Sequence, residues 1–126
     1  MGESSFTTVV IGFDGLRDLR RTFASWLQDL EVTGPVVVEL LVAVVELAAD
    51  GVQACGEAIV TVQDLDGSLR IEVVTAGHAF EAPDGGRFDE LDPPARRLLV
   101  AQASADSLEL EADETARRAV LVKRYR

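Results

Sequence analysis

The stretch Val36–Val52 reads VVVELLVAVVELAADGV, and its interpretation sets the fold. Its many valines favour a strand by propensity. Length argues otherwise, because strands rarely run past about ten residues. The acidic positions agree. Glu39, Glu46 and Asp50 would alternate between the faces of a strand but share one face of a helix. The segment is therefore read as a helix that follows the Thr33-Gly34-Pro35 break and ends near Gly51 to Gly56.

Outward from this helix, upstream, Ser5 to Phe13 alternates loosely and is rich in β-branched residues, which predicts a strand. Asp14 is placed to cap the next helix, where Leu16, Leu19, Phe23, Trp26, Leu27 and Leu30 recur at helical spacing. Downstream, Glu57 to Leu65 and Ser68 to Thr75 flank Asp66-Gly67. That dipeptide between alternating runs signals a hairpin, since a type I′ turn needs positive φ at both central positions. Ala76 to Pro94 reads as a long loop punctuated by Gly and Pro, and Ala95 to Ala105 as a short helix. Ser107 to Glu111 and Thr115 to Arg124 form a last hairpin. The order β-α-α-β-β-α-β-β predicts an α/β (α+β) two-layer sandwich, with a mixed, mostly antiparallel sheet and helices on one face.

Composition narrows the functional classes. With 126 residues, 48% of them hydrophobic, a single domain over 1–126 is expected. The formal charge of -10 and a pI near 4.4 disfavour a nucleic-acid backbone or an anionic membrane as partner, because both would be repelled. The N-terminus has no basic region ahead of its apolar residues, and the apolar helix carries Glu39 and Glu46. Neither a signal peptide nor a membrane span is expected, and the lone Cys55 fits a reducing, cytoplasmic setting.

Several polar positions sit at telling places in this frame. In ELAAD, Glu46 and Asp50 lie four residues apart on one helical face and can point into one pocket. The strand IEVV ends in TAGHAF, with Thr75, Gly77, Ala79 and Phe80. The segment DPPARRLLV leads into the last helix and carries Arg96, Arg97 and Leu98, and Thr115 opens the final strand. Together with the element order, these positions resemble the GHKL (histidine kinase-like) ATPase superfamily and its Bergerat-like fold. The likeness is strongest to the small bacterial branch of anti-sigma factor serine kinases, and it extends over nearly the whole chain.

The resemblance implies an ATP site with Mg²⁺. Glu46 would be the general base, and Asp50, where the family has Asn, would hold the metal; a carboxylate is a competent hard ligand. Thr75 stands where the family has the Asp that accepts from the adenine amino group. Gly77 is kept, and Ala79 replaces a second Gly. Arg96 and Arg97 lie where a Gly-rich lid would cradle phosphates, and there Pro93 and Pro94 remove two amide donors. Thr115 matches a family Thr. The motifs are thus degenerate. They imply a regulatory protein-binding domain similar to an anti-sigma factor, with an eroded ATP site. Its partner would be a sigma factor or an antagonist domain, and a homodimer through exposed sheet edges is a further expectation. The rival expectation is an active ATP- and Mg²⁺-dependent serine protein kinase.

Plainer readings attach to other residues. His78 is expected on an exposed loop, and Cys55 as a small buried filler. Arg117, Arg118, Lys123, Arg124 and Arg126 are read as charges blunting an edge strand.

Overall fold

A computed structural model describes residues 4–76, 101, 104–112 and 116–125. The elements are β1 (Ser5–Ile11), α1 (Gly12–Asp29), α2 (Pro35–Cys55), β2 (Glu57–Asp64), β3 (Ser68–Ala76), β4 (Ser107–Ala112) and β5 (Ala116–Arg124). The segment that decides the fold is a helix, with Pro35 in its first turn and Gly56 in the left-handed conformation at its end. Both placements follow from backbone chemistry. Proline lacks only an amide that the first turn leaves unbonded, and glycine accepts positive φ without a Cβ clash.

Five strands form one sheet in the order β1-β2-β3-β5-β4, and every neighbouring pair is antiparallel. The expected mixed sheet is thus wholly antiparallel among the described residues. The Asp66-Gly67 turn adopts positive φ at both residues, and the Leu65 amide donates to the Ser68 carbonyl at 2.8 Å. The first strand ends at Ile11 rather than Phe13, because Gly12 at φ +66° turns the chain into α1. Asp14 lies in the first turn of α1 and makes no side-chain cap; the cap position is Ile11. The carboxylate there still complements the positive end of the helix dipole.

Alternation along the strands separates two faces. Val10, Ala58, Val60, Val62, Leu69, Ile71, Val73, Ala119 and Leu121 point to the helices and form the core with Leu19, Phe23, Leu27, Leu40, Val44 and Leu47. Phe6, Phe23 and Trp26 close one end, with Phe6 and Trp26 edge to face at 5.3 Å between ring centres. The opposite face carries an ion network: Arg118 reaches Glu72 at 2.9 Å and Glu111 at 3.3 Å, and Arg70 reaches Glu72 at 3.2 Å. This is the two-layer α/β sandwich that the element order predicts.

Two expectations are corrected here. β5 is an interior strand between β3 and β4, so its arginines do not blunt an edge. Cys55 is exposed, in a last turn of α2 whose residues Gln53 and Ala54 are exposed as well. Ala76, expected to open the long loop, is instead the last residue of β3, and the rest of that loop through Pro94, with His78, lies outside the described residues. Of the helix expected over Ala95 to Ala105, Ala101 is helical and buried, whereas Ser104 and Ala105 lie past its end in a turn; the other residues of that helix lie outside the described residues. No described helix is long and apolar enough to cross a membrane.

Candidate functional site

α2 packs over β2 and β3, and long side chains from the inward face of β5 reach its acidic stripe. Period-two alternation turns Arg117, Ala119, Leu121 and Lys123 toward the helices, so a cation stands at each end of an apolar middle. Lys123 Nζ meets Glu39 at 2.7 Å near the start of α2. At the other end, Arg117 Nη2 lies 3.2 Å from Asp50 Oδ2 and also donates to the Asp50 carbonyl at 3.0 Å. The two contacts differ in setting. The Glu39 side chain is 46% exposed, whereas those of Asp50 and Arg117 are 3% and 7% exposed. Only the second pair lies where the medium screens weakly.

Thr75 completes this corner. It is buried on the same face as Arg117, and the two residues are register partners on β3 and β5. Gly51, next to Asp50, lies directly over it. A Cβ at Gly51 would collide with Thr75 Oγ1 and stand 3.0 Å from the Ala58 Cβ. Glycine therefore lets the end of α2 press against β2 and β3, and that approach buries the carboxylate beside it. A buried carboxylate is stable only when paired, and Arg117 supplies the pair.

The fold brings together Asp50 and Thr75, from two separate motifs, and adds Arg117. Glu46 is placed differently: it is half-buried and lines a groove with Arg20, Val38, Leu41, Val42 and Val45. Asp50 is not part of that groove. Gly77, Ala79, Arg96, Arg97 and Thr115 lie outside the described residues. Sequence reasoning misses Arg117, because the basic C-terminal run reads as one surface feature. Alternation could have found it, since residue 117 shares a strand face with Ala119 and Leu121 and the apolar helix holds an acid in need of a partner.

As it stands, the corner does not suit a magnesium ion. Mg²⁺ keeps near-octahedral oxygen coordination with several waters. Here a guanidinium lies against the Asp50 carboxylate, and a divalent cation would have to displace it from a nearly dry position. Among the described residues, no group of three or more His, Cys, Asp or Glu side chains is arranged to hold a metal. No protein-family model matches the chain, and no curated protein matches it either.

Proposed function

We propose that this chain is a regulatory protein-binding domain, similar to an anti-sigma factor, whose ancestral ATP site is eroded. The Asp50–Arg117 contact carries this reading. The residue that would hold Mg²⁺ in an active relative is spent on an internal cation at 3.2 Å, within a nearly dry corner. Thr75, in place of an adenine-binding carboxylate, packs against Gly51, where it supports the approach of helix to sheet. A hydroxyl also lacks the charge that strengthens a carboxylate hydrogen bond.

The net charge of -10 favours a partner with a basic surface. The nucleic-acid-contacting face of a sigma factor is such a surface, and an acidic domain would cover it without competing for nucleic acid itself. Calorimetric titration of the full chain with ATP and Mg²⁺ tests the eroded site. The expected result is no saturable heat at micromolar nucleotide. Clear micromolar binding would overturn the proposal and restore the kinase alternative.

A further inference from the structure

The outward side of the helix layer is uneven. Along α1, the exposed residues Arg17, Arg20, Arg21, Ser25 and Gln28 are polar, as solvent-facing helix positions usually are. α2 departs from this. Val38 is 64% exposed and Val42 37%, with Leu41 and Val45 half-buried beside them. At about 100° per residue, Val42 and Val45 lie within about 40° of Val38 around the helix. They form one outward stripe at i, i+4 and i+7, opposite the inward face of Leu40, Val44 and Leu47. Single exposed apolar residues need no explanation, but a row of them between charged borders does.

This stripe is the floor of a groove of about 220 Å³ lined by Arg20, Val38, Leu41, Val42, Val45 and Glu46. Its two borders carry opposite charge. α1 packs on β1 and α2 over β2 and β3, while Lys123 of β5 holds Glu39. Glu39 and Glu46, about 80–100° around the helix from Val38, therefore border the stripe on the side toward β5. Arg20 of α1 borders it on the side toward β1.

The walls decide what can lie there. Both are helical, with backbone amides bonded inside their own helix, so an extended segment finds no strand to pair with. Another helix presents apolar residues at i, i+3 or i+4 and i+7, which is the spacing of the floor. From Val38 to Val45 the floor runs about 10 Å, or two helical turns. Opposite charges along the two flanks of such a seam select the partner, as they do between paired helices.

We infer that the groove between α1 and α2 receives an amphipathic helix of the partner protein. Its apolar stripe sits on Val38, Val42 and Val45, its acidic flank faces Arg20 and its basic flank faces Glu46. This rests on the reading of the chain as a protein-binding domain and names the element by which the partner docks. The groove includes Glu46 but neither Asp50 nor Thr75. Micromolar ATP binding would therefore end the eroded-site reading and leave the groove standing, whereas a failed peptide titration would do the reverse.

The probe is a fluorescein-labelled peptide of about twenty residues, long enough to hold a helix. It carries leucines at i, i+3 and i+7, glutamates along one flank and lysines along the other. Its net charge is zero, so the overall field of the protein does not drive binding. Fluorescence anisotropy with the full chain is expected to saturate below about a hundred micromolar protein. Val38→Lys, Val42→Lys and Arg20→Glu should each weaken binding about tenfold or more. Their circular dichroism should stay unchanged, since lysine is a better helix former than valine. Arg20→Glu alters no apolar packing, so the test stays readable if a valine change disturbs α2. Val9→Lys, on the open face of the sheet, should bind like the wild type. Absence of saturation, equal binding of a scrambled peptide, or groove variants no weaker than Val9→Lys would overturn the inference. So would self-association of the wild type, seen by sedimentation equilibrium, that Val42→Lys abolishes, because a second copy would then fill the groove.

Discussion

At the scale of the residue, Asp50 shows how one position changes meaning with its neighbours. In sequence it is an acid four residues after another acid. In the fold it is held by Arg117 at both its carboxylate and its own carbonyl. Removing one partner of a buried pair leaves an uncompensated charge, which typically costs about 3–5 kcal/mol. Asp50→Ala should therefore shift the urea midpoint strongly downward. Asp50→Leu combined with Arg117→Met should be more stable than either single change, because no orphan charge remains. A double variant as unstable as the singles would mean that the pair contributes through more than charge balance.

At the scale of the element, the β2–β3 hairpin rests on its turn. Asp66 at φ +59° and Gly67 at φ +119° let the two strands meet in register. Asp tolerates the left-handed region, but other L-residues avoid the Gly67 conformation. Gly67→Ala should cost about 1–2 kcal/mol, read as a lower thermal midpoint, while Asp66→Asn should be close to neutral. An unaffected Gly67→Ala would show that the register is set by the strands alone. The helices illustrate the reverse case. Length and the spacing of Glu39, Glu46 and Asp50 were enough to overrule the β-propensity of so many valines in α2. Element boundaries were less legible. Phe13 continues the apolar alternation and so reads as strand, whereas the turn at Gly12 ends β1 at Ile11.

At the scale of the whole molecule, a charge of -10 on a chain of this size opposes compaction through self-repulsion. Raising the ionic strength from about 0.01 M to 0.1 M shortens the screening length from about 30 Å to about 10 Å. The exposed ion pairs, such as Glu111–Arg118, are screened as well, but each is worth no more than about 1 kcal/mol. The repulsive sum should win, so the thermal midpoint is expected to rise by a few degrees with added sodium chloride. A falling midpoint would show that the ion networks outweigh the net charge.

What the chain determines by itself follows from local rules. Periodicity separates strands from helices, Asp-Gly marks a turn, and alternation assigns each strand an apolar face. These depend only on backbone sterics and on which side of an element each residue occupies, so the order of the described elements and the two-layer class are legible. The neighbours of each strand are not. The C-terminal hairpin could have ended the sheet with either strand, and placing β5 inside turned presumed edge charges into a partner for α2. The site depended on that choice. Asp50 and Arg117 are 67 residues apart, and only the packing of α2 across the sheet, through the close approach at Gly51, placed both in one dry corner where a charge must find its opposite.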